Sequence, residues 1–240
     1  MEKRQELYRG KAKTVYGTDD PNRLVMHYRD DVSAFDGVKL AKLDLKGETN
    51  NKINAYVMGK LAAAGVPTHF VKLLNERESL VKAMKMVPVE CVVRNVVAGS
   101  MAKRYGIEEG RKLAEPIFEF FLKSDALHDP LCNDDHIRVP GWASAKEIDE
   151  MRAITHKVNA VLKPLFANAG IDLVDYKLEF GHPTDDPAGP LVLGDEFTPD
   201  GCRLWDATTG EKLDKDRFRR DLGDVIGHYR QVAQRIGAPL

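Results

Sequence analysis

The chain has 240 residues, enough to bury a sizeable core in one large domain or two small ones. Hydrophobic residues make up 43% and charged residues 30%, the balance of a soluble globular protein, and a formal net charge of -1 gives no basic field for nucleic acid. The charged opening MEKRQELYRG predicts no signal peptide, no stretch is long enough to span a bilayer, and three scattered cysteines (Cys91, Cys132, Cys202) predict reduced thiols rather than a disulfide framework or CxxC metal site, so a cytoplasmic location without membrane association is expected.

In chain order, ELYRGKAKTVYGT and NRLVMHYRD read as strands around the turn TDDPN. TNNKINAYVMGKLAAAG keeps helical spacing through Ile53, Val57, Leu61 and Ala64, until Gly65 and Pro67 stop it. THFVKLL, VPVECVVRNVVAG and IFEFFLKSD return to strand. A long helix is predicted over residues 144–169, with Ile148, Met151, Ile154, Val158, Val161, Leu162 and Leu165 on one stripe, a Ser144/Glu147 capping box, Gly170 as its stop and Pro164 placed to kink its last turn. IDLVDYKLEFG and LVLGDEF follow as paired strands joined by the loop HPTDDPAGP, and KDRFRRDLGDVIGHYRQVAQRIG closes the chain as one amphipathic helix. The order predicts an α+β fold, with a boundary near residues 75–90 between a small N-terminal sheet and a larger α+β part.

Four stretches carry chemistry. In LVDYKLEFG, strand alternation puts Asp175, Lys177 and Glu179 on one face and apolar residues on the other. The paired strand ends in Asp195 and Glu196, one of which joins that face. Three carboxylates need cations to stay ionised together; Lys177 supplies one, and hard oxygen ligands suit Mg²⁺ shared with nucleotide phosphates. The alternative is a solvated face of cross-strand ion pairs. In YRGKAKTVYG, strand alternation puts Lys11 and Lys13 on the same face, just after Gly10; they suit a polyphosphate, or a solvated edge that resists aggregation. The Walker A pattern is absent. In VVRNVVAGSMAKRYG, Arg94 lies in an apolar strand and Ser100 is the expected cap of a short helix, which fits either a phosphate site or a structural ion pair with an ordinary cap. FLKSDALHDPL gathers Lys123, Asp125, His128 and Asp129 in a loop without zinc-ligand spacing. Basic and acidic clusters without a nucleophilic Ser or Cys constellation fit Mg²⁺-dependent phosphoryl transfer.

These motifs, from ELYRGKAKTVY through SAFDG, VPVECVVRN, AGS, FLKSDALHDP and LVDYKLEFG to GDEFTPDGCRLWD and KDRFR, resemble the SAICAR synthetases of bacterial type over nearly the whole chain, with LVDYKLEFG and DEFTPDGCR the most specific. The resemblance implies an ATP- and Mg²⁺-dependent ligase of purine biosynthesis that joins L-aspartate to the carboxylate of an aminoimidazole ribonucleotide (CAIR) through an acyl phosphate. It implies ATP phosphate contacts at Lys11 and Lys13, an adenine-binding hinge near Met86, active-site roles for Lys123 and Asp129, and metal-binding acids at Glu179 and Asp195. It also implies a 5′-phosphate clamp of Arg94, Ser100 and Arg203, and substrate or metal contacts at Asp175 and Lys177. Asp36 matches the motif without an assigned role, and no motif marks the aspartate site. The implied fold is a small antiparallel lobe (residues 1–85) resembling the kinase and ATP-grasp small lobe, a larger lobe (residues 86–240) and an ATP cleft between them, in a homodimer. The rivals are a related carboxylate–amine ligase with another acceptor and a catalytically silent nucleotide-binding module.

Overall fold

The computed structural model describes residues 2–240. The chain opens with a hairpin, Lys3–Arg9 (β1) and Lys13–Thr18 (β2), where a single strand was expected; the Gly10 N–H closes the turn onto the Lys13 carbonyl at 2.9 Å. Lys11 therefore lies in a turn, and the strand-alternation argument for its shared face with Lys13 does not apply. Arg23–Tyr28 (β3) continues the sheet. A small hairpin follows, Asp31–Ala34 (β4) and Lys39–Lys42 (β5), then the helix Lys46–Ala63 (α1) and the strands Phe70–Asn75 (β6) and Glu78–Lys82 (β7). These build an antiparallel sheet in the order β1-β2-β3-β7-β6, with β4 and β5 paired separately.

After Ala83 the chain enters the second sheet directly through Met84–Val96 (β8), so the segment around Met86 is continuous strand. The short helix Gly99–Tyr105 (α2), Lys112–Leu122 (β9), Leu131–Cys132 (β10) and the turn-length helix Asp134–Arg138 (α3) lead to the long helix Ala145–Asn168 (α4). Ser144 and Glu147 form the expected capping box, and α4 continues through Pro164. Ile171–Pro183 (β11), Val192–Gly194 (β12) and Cys202–Asp206 (β13) complete the sheet, ordered β10-β9-β8-β11-β12 with β13 also on β11. The chain ends in two helices, Asp216–Arg219 (α5) and Val225–Ile236 (α6), not one. The break falls where Asp221, Gly223 and Asp224 adopt positive φ, and the Asp224 carboxylate caps α6 on the Gly227 N–H at 3.1 Å.

The apolar sides of β8, β9 and β11 (Val89, Cys91, Val93, Phe120, Tyr176, Leu178, Phe180) are buried against Met151, Val158, Leu162 and Phe166 of α4 and Ile53, Val57 and Leu61 of α1. Burying one face so completely fixes the register, because a one-residue slip would invert every side chain. It leaves the opposite face of the same strands to carry charge.

Candidate active site

That charged face is ordered in rows by the strand register. Arg94 of β8, Asp175 of β11 and Arg203 of β13 are direct neighbours across three strands. Arg94 Nη1 and Arg203 Nη1 both donate to Asp175 Oδ2, at 2.9 and 2.8 Å, and Arg94 Nη2 lies 3.3 Å from the Ser100 hydroxyl. Ser100 is not the helix cap: Ala98 holds that position and α2 begins at Gly99. Gly99 has φ +56°, and a Cβ there would stand 2.4 Å from Arg203 Nη2, so the backbone lies against the guanidinium.

A second row pairs Glu90 of β8 with Glu179 of β11 and Gly194 of β12. β12 and β13 share one edge of β11 but leave a gap between Tyr176 and Glu179, where Lys177 N–H donates to the Gly201 carbonyl at 3.1 Å. Residues 195–201 leave the sheet through that gap and deliver Asp195 and Glu196 to the charged face. The Gly201 N–H closes the expected turn onto Thr198 at 2.9 Å. Lys177 Nζ lies 2.7 Å from Glu90, 2.9 Å from Glu179 and 3.7 Å from Asp195. Lys13 bonds Asp195 and lies 2.8 Å from Glu196, and Lys123 bonds the second oxygen of Glu179.

The carboxylates thus fall into two groups rather than the single cluster expected. Asp175 is claimed by arginines, while Glu179 and Asp195 sit among lysines. Both groups are stabilised by opposite charge. Burial pushes the Lys177 ammonium toward its neutral form, but Glu179, Asp195 and Glu90 more than offset this and raise its pKa well above the usual lysine value. Lys13 is raised in the same way by Asp195 and Glu196 against the cost of burial. Asp195, which burial alone would push up, is held below the ordinary carboxylate range by Lys13 and Lys177.

Both groups line one cavity of about 810 Å³. Lys11, Asp36, Lys123, His128 and Asp129 line it as well. Lys11 reaches it from the β1–β2 turn, 2.8 Å from Asp125, and Asp36 Oδ2 lies 2.8 Å from His128 Nδ1, joining the β4–β5 tip to the loop after β9. Asp129 accepts the Ser124 N–H at 2.8 Å. Met86 is the one predicted site residue outside the lining; it pairs with Gly181, and its side chain packs over Gly194. Phe35, Asp36, His128, Asp129 and Asp195 all have positive φ, so among the described residues five of the eight non-glycine residues in that conformation border this cavity. Such conformations cost energy and persist where surrounding contacts enforce them. Around Asp195 those contacts are visible: Leu193 is bonded on both backbone groups by residues 67–69, and Phe197 N–H donates to Asn54 at 2.9 Å.

Sequence reasoning missed several lining residues. Glu90 shares a face of β8 with Arg94, and the period-two pattern that singled out Asp175 would have found it; Glu119 of β9 lies outside the lining and bonds Arg94. Asp200 accepts from Asn50 and Tyr229 at 2.9 and 2.8 Å and pairs with the buried Lys46 at 2.5 Å; these residues are far apart in sequence and left no local signal.

A sequence model described as SAICAR synthetase matches residues 6–236. The chain belongs to the SAICAR synthetase family. It is 63% identical over all 240 residues to the phosphoribosylaminoimidazole-succinocarboxamide synthase of Idiomarina loihiensis, covering the whole of both chains. The crystal structure of the Ehrlichia chaffeensis synthase superposes with a TM-score of 0.96 at 43% identity, over 98% of this chain and 100% of that one. A SAICAR synthetase (type 2) in complex with ADP gives 0.93 at 44% identity, over 98% of each chain. The α+β architecture described above is therefore that of an enzyme family, and the cavity belongs to a chain with full-length enzymatic relatives.

Proposed function

We propose that this chain joins L-aspartate to the carboxylate of CAIR, with ATP as co-substrate, to give SAICAR, ADP and phosphate. One observation carries the reading: a two-arginine row and a lysine–carboxylate cluster share one cavity in a chain of this family. A relative in complex with ADP supports the nucleotide. A carboxylate is a poor electrophile because its charge repels an amine and oxide is a poor leaving group. Attack of the CAIR carboxylate on the γ-phosphorus breaks the bond to ADP and gives an acyl phosphate. The aspartate amine then attacks the carbonyl carbon and phosphate departs.

In this reading Lys11 and Lys13 hold ATP phosphates, Lys123 and Lys177 offset charge on the transferred group beside Asp129, and the strand at Met86 meets the adenine through its backbone. Arg94, Ser100 and Arg203 take the ribonucleotide phosphate, with Asp175 between the arginines. The sheet of residues 1–85 and the sheet of residues 86–240 close on the nucleotide from two sides, although α1 packs with the second. Cytoplasmic location and a homodimer go with the family reading.

The residues present fit Mg²⁺. Nine lysines and arginines and nine aspartates and glutamates line the cavity, so the charge of a nucleoside triphosphate is not offset by the wall alone. Glu179 and Asp195 already flank one cation, the Lys177 ammonium, and would hold the metal. Held by these two acids, the ion would share its shell with phosphates and water. Bound there, Mg²⁺ would supply charge neutralisation for the transferring phosphoryl group.

The test is ADP release by purified protein with MgATP and CAIR, with and without L-aspartate. Release that requires both, matched one for one by SAICAR, is expected. Release that needs CAIR but ignores aspartate would reopen the identity of the amine. No CAIR-dependent release from folded, nucleotide-binding protein would remove the proposal.

A further inference from the structure

The arginine row extends beyond its central carboxylate. On one side, Arg94 Nε donates to Glu119 Oε2 at 2.6 Å, and the other oxygen of Glu119 is taken by Arg104. On the other, Arg203 Nε donates to Asp216 Oδ2 at 2.9 Å, and Asp216 Oδ1 accepts from Arg219 Nη1 at 2.6 Å. Guanidinium and carboxylate groups thus alternate without a break from α2 to α5, arginine at both ends.

The arrangement is symmetric about Asp175. Each central arginine has its Nε edge held by an outer carboxylate and its Nη1 held by Asp175 Oδ2. In each the remaining Nη2 is brought to the same place, Arg94 Nη2 to the Ser100 hydroxyl and Arg203 Nη2 against Gly99. A shared Asp175 oxygen alone would leave each guanidinium free to swing about one contact. Two guanidinium groups on one oxygen also repel each other, and the outer carboxylates offset that repulsion. Glu119 is 7% exposed and Asp216 2% exposed, so water does not replace them. Burial would push the Asp216 carboxyl up, yet Arg203 and Arg219 hold it below its ordinary value.

We propose that Glu119 and Asp216 are positioning residues of the phosphate clamp: each fixes the plane of one arginine so that the Nη2 groups of Arg94 and Arg203 converge beside Ser100 on a single anion. The inference rests on the proposed ribonucleotide reading of this row. Neither residue touches the substrate. Their contribution is to remove the reorganisation that two mobile, mutually repelling arginines would require on binding.

The experiment is steady-state kinetics of Glu119→Gln and Asp216→Asn, with CAIR and MgATP varied separately, beside thermal shifts with CAIR and with MgADP. Each neutral variant should raise the KM for CAIR by about tenfold to a hundredfold, the scale of one charge-assisted contact. The KM for MgATP, and kcat at saturating CAIR, should stay within about threefold of the parent. The MgADP shift should persist while the CAIR shift shrinks. Glu119→Asp keeps the charge but is one methylene too short to reach both arginines, so it should fall between parent and Gln variant. Should Glu119→Gln fail to fold, Glu119→Asp carries the same test. Unchanged CAIR KM in a folded variant, or equal loss of CAIR and MgADP binding, would overturn the proposal. Failure of the parent protein to use CAIR would instead count against the ligase reading.

Discussion

Gly99 shows how tightly the arginine row is packed. Its φ of +56° is unfavourable for any residue with a Cβ, and the added carbon would fall 2.4 Å from Arg203 Nη2. Gly99→Ala should therefore move Arg203 rather than disturb the core. We expect the KM for the ribonucleotide to rise with little change in that for MgATP, measured by varying each in turn. Asp214 is a second residue with a legible consequence. Its oxygens accept only backbone N–H groups, from Leu204 and Asp216, at 2.8 and 2.7 Å. Burial, with a further push from the neighbouring Asp216, raises its carboxyl to about 7. The folded protein then keeps a proton that the unfolded chain loses near pH 4, so this group makes stability fall as pH rises between about 4 and 7. Buried His69, lowered to about 4, acts with the opposite sign over part of that range. The readout is therefore a difference: urea unfolding at pH 5 and 8 should show the parent losing stability relative to Asp214→Asn as pH rises. Equal pH slopes would mean that Asp214 does not titrate there.

At the scale of elements, α4 is the part most completely written into the sequence. Its cap, stripe and stop are all local. Ser144 accepts the Glu147 N–H at 3.2 Å, and Glu147 returns to the Ser144 N–H at 2.7 Å. Burial would raise the Glu147 carboxyl, but Ser144 and His182 lower it to about 2. Ser144→Ala should cost about 1 kcal/mol, seen as a lower urea midpoint at unchanged slope. The strands were legible where alternation was long, as over residues 173–181, and most of the short ones were obscure. β4, β5, β7 and β13 have four or five residues each, too few for a period to declare itself. The closing helix was read as one because its apolar spacing runs across the break; the deciding feature is three positive-φ residues among Asp221–Asp224, and glycine and aspartate tolerate that conformation without announcing it. Within the site, Asp175, Lys177 and Glu179 could be placed on one face from sequence, but their division between arginines and lysines could not. That division depends on which strands lie beside β11, and on a gap between β12 and β13 that only the assembled sheet creates.

At the scale of the molecule, the cavity takes groups from both sheets: Lys13, Val15 and Met26 from the first, and Glu90, Arg94, Lys177 and Glu179 from the second. A ligand held there ties the two together. It must therefore stabilise the folded chain as a whole by mass action, by about 2.7 kcal/mol when present at about a hundredfold its dissociation constant. MgADP should accordingly raise the midpoint of thermal unfolding, and the rise should shrink when divalent ions are removed. Chelation of the apo protein should behave differently. Every carboxylate around Lys177 already has an ammonium partner: Lys13 for Asp195 and Glu196, Lys123 and Lys177 for Glu179, and Lys177 for Glu90. The fold does not depend on a metal ion to offset the charge of these acids. EDTA should thus leave the unfolding midpoint of apo protein unchanged while abolishing turnover, and added Mg²⁺ should restore it. A large fall in the apo midpoint on chelation would show instead that a metal is part of the folded structure, and that the lysines are not its counterparts in the empty site.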